Sequence, residues 1–92
     1  MPVKWLRKAL RNLEQIQQYV TADDPEAAIQ VVLRIQGAVQ QLETFPMMGK
    51  AGRVDGTREL VIPNTSFIVI YRVQGKTVQI LRILHTSKKY PD

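Results

Sequence analysis

The chain has 92 residues, 13 Lys and Arg against 8 Asp and Glu, a formal net charge of +5 and no cysteine. That length supports one small domain over residues 1–92 with a single modest core, and 45% apolar content is that of a folded rather than a disordered chain. The lack of cysteine excludes disulfide staples, zinc–thiolate sites and cysteine nucleophiles, and no apolar run reaches signal-peptide or membrane-spanning length, so the expectation is a cytoplasmic protein away from membranes.

Val3, Trp5 and Leu6 make the segment 2–6 a short strand or a lead-in. From about Lys8 to Thr21 the apolar residues Leu10, Leu13, Ile16 and Val20 recur at three- and four-residue steps, which predicts a helix. Asp24 before Pro25 and Glu26 reads as a helix N-cap with proline at the first helical position. The second helix is expected to run to Glu43 or Thr44, with Ala28, Val32, Ile35, Val39 and Leu42 along one face. So short a break makes the two helices an antiparallel hairpin.

Residues 45–52 are rich in breakers and read as a loop. Asp55-Gly56 then turns the chain into a strand from Thr57 to Ile62. Phe67 to Val73 is a continuous apolar run, so both of its faces are expected to be covered. Gln74-Gly75-Lys76 makes a tight hairpin into the last strand, Thr77 to His85. The order is β-α-α-β-β-β, an α+β fold in which a helical hairpin packs on one face of a small, mainly antiparallel sheet and leaves the other face partly open.

Charge is distributed unevenly. In residues 1–45 Lys4, Arg7, Lys8, Arg11 and Arg34 cancel against Glu14, Asp23, Asp24, Glu26 and Glu43, so the whole surplus falls in residues 46–92. A basic surface of this kind favours nucleic acid, an acidic protein or an anionic membrane. Strict alternation along the last strand puts Arg82 on one face with Val78, Ile80 and Leu84, and His85 on the other with Leu81 and Ile83. A charged Arg82 inside an apolar strand has to find water, an acid or a ligand, and Glu59 on a neighbouring strand is the structural candidate. His85 is the one histidine, and the acidic residues do not cluster at ligand spacing, so neither a metal site nor a cofactor is expected. Gly49, Gly52 and Gly56 lie in a loop rather than between a strand and a helix, and Ser66 and Ser87 lack the context of a nucleophile elbow. One enzyme class passes these exclusions. A ribonuclease that uses the 2′-hydroxyl of its RNA needs only an acid or base and cations around the phosphorane. Arg58, Arg82, His85, Lys88, Lys89 and Tyr90 have the chemistry for those roles, with Tyr90 able to stack on a base.

The order Pro25-Glu26-Ala27-Ala28, Phe45-Pro46 with Gly49, Gly56-Thr57-Arg58-Glu59-Leu60, Tyr71-Arg72-Val73 and Ile80 through His85 leading to Lys88-Lys89-Tyr90-Pro91 resembles the RelE/ParE superfamily of toxins from type II toxin–antitoxin systems. The resemblance implies a growth-inhibiting toxin neutralised by a cognate antitoxin, whose acidic or amphipathic tail folds on binding. It also divides by mechanism. RelE-like members, ribosome-dependent mRNA endonucleases, carry an arginine where this chain has Ile68, and a lysine pair where it has Leu60, Val61 and Ile62. ParE-like members, which act on DNA gyrase, have an apolar residue there, and the chain fits them better. In the alternative mRNA interferase reading, the resemblance assigns the site to Arg58, Arg82, His85, Lys88 and Tyr90.

Overall fold

The computed structural model describes residues 1–91, and Asp92, counted in the charge above, lies outside the described residues. In chain order the elements are β1 (Val3–Trp5), α1 (Arg7–Asp23), α2 (Pro25–Gln41), β2 (Lys50–Ala51), β3 (Arg58–Val61), β4 (Phe67–Gln74) and β5 (Thr77–His85). They form one five-stranded sheet in the order β1-β5-β4-β3-β2. Only the β1–β5 pair is parallel; the other three pairs are antiparallel. The predicted α+β order therefore stands, and the lead-in is a true strand at the sheet edge. The segment read as a loop also contains β2, which pairs Lys50 with Glu59 and Ala51 with Arg58.

Asp24 alone separates the helices. Its carboxylate accepts from the amides of Glu26 and Ala27, at 3.1 and 3.2 Å, while its own amide donates to the Val20 carbonyl and closes α1. One residue thus ends one helix and caps the next, which holds the hairpin tight. On α2 the predicted stripe is buried at Ala28, Ile35 and Val39, and Leu42 just beyond the helix is fully buried. On α1 the buried position is Ala9, and Leu10 is 46% exposed. The inward face runs through Ala9, Leu13 and Ile16, one residue out of phase with the expected start.

The main core lies between the hairpin and one sheet face, where Ile35, Val39 and Leu42 meet Leu60, Ile62, Val69, Tyr71, Val78, Ile80 and Ile83. Each fully buried aliphatic side chain there contributes about 1.5–3 kcal/mol of transfer free energy. A second, smaller cluster of Ile68, Ile70 and Leu84 occupies the other face, with Leu81 and Tyr90 packed on it. Both faces of β4 are covered, as its unbroken apolar run requires. The β4–β5 turn is carried by Gly75 at φ 61°, a conformation that side chains disfavour.

The alternation expected along β5 does not hold. Ile70 pairs with Arg82 but Tyr71 pairs with Ile80, so Leu81 is an extra residue in a β-bulge. Beyond it every side chain changes face. Ile83 joins Val78 and Ile80 under the helices, whereas Leu84 and Leu81 join Ile68 and Ile70 on the opposite side. Arg82 is thereby separated from Val78 and Ile80, and Leu81 from Ile83.

Candidate functional site

Beyond Ile80 the outer edge of β5 is no longer paired with β1. There α1 takes over, and the Asn12 side-chain oxygen accepts from the Ile83 amide at 3.1 Å. This contact sets the first turns of α1 beside the C-terminal half of β5 and the tail. Two grooves result. One, of about 520 Å³, is lined by Asn12, Gln15, Ile16, Tyr19, Phe67 and Ile83 together with Leu84, His85, Ser87 and Lys88. The other, of about 490 Å³, is lined by Arg7, Lys8, Arg11, Asn12, Gln15, Arg82 and Lys88. They share Asn12, Gln15 and Lys88, so the two grooves adjoin along those residues and make a trough of two parts.

His85 sits in the apolar part of the trough. It is exposed, pairs across the sheet with Phe67, and meets that ring edge-on at 5.5 Å and 89°. Its Nδ1 accepts from the Ser87 amide at 3.1 Å and lies 2.6 Å from the Ser87 hydroxyl. A backbone N–H only donates, so Nδ1 is an acceptor here and a neutral ring carries its proton on Nε2.

Arg82 belongs to a different constellation on the far face of the sheet. There the tail folds back and inserts Tyr90 between two guanidiniums, 5.9 Å from Arg53 and 5.6 Å from Arg82. Arg53 Nη1 also donates to the Tyr90 carbonyl at 3.2 Å. Glu59 anchors Arg53 in turn. Its buried carboxylate accepts from the Arg53 amide at 2.9 Å and pairs with Nε at 3.4 Å. The ion-pair partner expected for Glu59 was Arg82; Arg53 takes that place.

Arg58 faces the opposite way, paired across strands with Tyr71. Its Nη1 donates to the Gly49 carbonyl at 2.7 Å and reaches the Met47 carbonyl at 3.4 Å. It braces the segment between α2 and β2, as does Tyr71, whose buried hydroxyl has its pKa raised by desolvation against opposing effects from the Gly49 amide and the Arg58 charge.

The five residues singled out from sequence therefore divide among three places. Arg82 meets Tyr90 and also lines the cationic groove with Lys88, His85 and Lys88 line the other groove, and Arg58 is engaged with a loop. Sequence reasoning missed Arg53, and it missed that Arg7, Lys8 and Arg11 join Arg82 and Lys88. The signal for the latter was present: several cations within the first helical turns and no acid in the first turn. Among the described residues no group of His, Cys, Asp and Glu has the arrangement to hold a metal ion, and no helix is long and apolar enough to cross a membrane.

Residues 3–90 match the family described as ParE toxin of type II toxin–antitoxin system, parDE. The chain is 40% identical to a protein named putative toxin Y4kP of Sinorhizobium fredii, over 97% of this chain and 92% of that one. It superposes on a chain of the chromosomal ParDE toxin–antitoxin system from P. aeruginosa with a TM-score of 0.85 at 34% identity, covering 92% of this chain and 95% of that one. A chain of the toxin–antitoxin complex RelBE2 from Mycobacterium tuberculosis matches with a TM-score of 0.61 at 25% identity, covering 91% and 95%.

Proposed function

The chain belongs to the ParE toxin family of type II toxin–antitoxin systems, and we propose that it arrests growth by binding and inhibiting DNA gyrase until a cognate antitoxin neutralises it. The observation that carries this reading is the apolar centre of the sheet's far face. An RNA-cleaving site built on the central strands needs cations aimed at a developing phosphorane. Here the middle of that face holds Ile68, Ile70 and Leu84, each at most 5% exposed, with Tyr90 folded over them. The arginine that RNA cleavage calls for is Ile68, buried in a cluster. Purified folded chain should inhibit supercoiling by gyrase in vitro; unchanged supercoiling at large excess would remove the reading.

The antitoxin is the partner for which the surface is suited. Tyr19, Ile29 and Leu33 on the helical hairpin are 80%, 57% and 55% exposed, and the trough beside Tyr19 carries Phe67 and Ile83. An amphipathic segment that folds on binding would cover such a surface, and an acidic one would meet Lys88 in its lining.

One observation favours the second reading, a ribosome-dependent mRNA endonuclease. His85 is exposed in a trough with Lys88, with its Nδ1 held by Ser87 so that Nε2 is free for proton transfer. Mapped cuts in translated mRNA that vanish on His85→Ala and Arg82→Ala would favour it; no cuts from active toxin would exclude it.

A further inference from the structure

The cationic end of the trough is assembled from three parts of the chain. α1 contributes Arg7, Lys8 and Arg11, β5 contributes Arg82, and the tail contributes Lys88. Among the described residues no carboxylate lines it. Arg7, Lys8, Arg11 and Lys88 are exposed, and among the described residues none of these four has an ion-pair partner. The like charges stand close together, since Arg7 and Arg11 lie about one helical turn apart. The first turn of α1 holds no acid to offset them. By contrast α2 opens on Asp24 with Glu26 in its first turn. Arg7, Lys8, Arg11 and Lys88, gathered without an ion-pair partner among the described residues, repel one another, and an external anion relieves that repulsion.

The chemistry alongside narrows the anion. Past Asn12 and Gln15 the adjoining groove presents Tyr19, Phe67 and His85. Arginines suit phosphate through paired N–H donors, and aromatic rings beside a basic track accept stacked bases. A peptide of acidic residues alone would use the cations and leave the rings and amides unused. We propose that this trough binds the phosphodiester backbone of a nucleic-acid strand, and that the strand is the DNA held by gyrase. The choice of DNA rests on the gyrase reading; the backbone chemistry does not.

The test is fluorescence anisotropy of a labelled DNA oligonucleotide with the full chain across a salt series, with RNA of the same sequence and a poly-glutamate peptide as parallel probes. Affinity for DNA should fall linearly with salt on a log–log plot, with a slope of about −0.9 per phosphate neutralised on duplex DNA. Arg7→Gln, Lys8→Gln and Arg11→Gln together should weaken binding at least about tenfold at low salt and flatten the slope by about one per cation. The three side chains are exposed, so circular dichroism should show an unchanged fold. No DNA binding by the folded parent, equal binding by the triple variant, or binding only to poly-glutamate overturns the trough. Preference for RNA overturns the choice of DNA. Gyrase assays on the same samples separate the two ideas. Inhibition that persists without DNA binding removes the trough and keeps gyrase; DNA binding lost in the triple variant, with no inhibition by the parent, does the reverse.

Discussion

Tyr71 and Gly49, 22 residues apart, hold each other in place: the Gly49 amide donates to the Tyr71 hydroxyl at 2.9 Å, and a Cβ on Gly49 would stand 2.7 Å from the tyrosine ring. The same hydroxyl donates to the Pro46 carbonyl at 2.8 Å. A strand in the middle of the sheet thereby fixes the chain leaving α2 and the position of β2. Gly49→Ala should cost about 1–3 kcal/mol, since the new methyl meets a fully buried ring and the Glu59 backbone, neither free to move aside. Urea denaturation of the purified variant reads this directly.

Tyr71→Phe keeps the ring and removes both hydrogen bonds. The expected loss is about 1–3 kcal/mol, because the Gly49 amide and the Pro46 carbonyl lose a partner in a crowded place. The same variant isolates a pH effect. Burial raises the Tyr71 pKa above its ordinary value of 10.0, so the native state holds that proton longer than the unfolded chain. This contribution to stability is complete below about pH 10 and is lost as pH rises through the native pKa. The urea midpoint of the parent should therefore fall more steeply above pH 10 than that of Tyr71→Phe; parallel curves would refute the linkage.

The tail is held by stacked and paired charges rather than by a strand. Tyr90→Ala removes both guanidinium contacts and uncovers Ile68, Ile70 and Leu84, for a loss of about 2 kcal/mol. Glu59→Gln should cost about 1–3 kcal/mol by weakening the hold on Arg53. In both variants limited proteolysis should cut near Lys88 and Lys89 sooner than in the parent. Unchanged cutting would mean that the tail is fixed by something other than Tyr90.

Asp24 closes α1 and caps α2, so Asp24→Ala should lower stability by about 1 kcal/mol, the usual value of a lost N-cap. Asp24→Asn keeps a side-chain acceptor and should recover most of it. Thermal melts of the three proteins at equal concentration would show the order.

Much of the fold was legible in the residue pattern. The periods of α2 and β4, the Asp24-Pro25 start and the Gly75 turn are local signals, and local backbone and burial preferences suffice to read them. The order of those elements and the motifs along them also carried the family. Three features belonged to the tertiary structure alone. The bulge at Leu81 moved Arg82 and Leu84 to the face away from the main core, because a one-residue offset between paired strands inverts every side chain after it and is set by the neighbouring strand. The return of Tyr90 onto Arg53 and Arg82 depends on contacts between residues far apart in sequence, which no period encodes. The meeting of Arg7, Lys8 and Arg11 with Arg82 and Lys88 was hidden by counting charge along the chain, where the acids of residues 1–45 cancel them. None of those acids lines the trough, and Coulomb interactions follow distance rather than sequence.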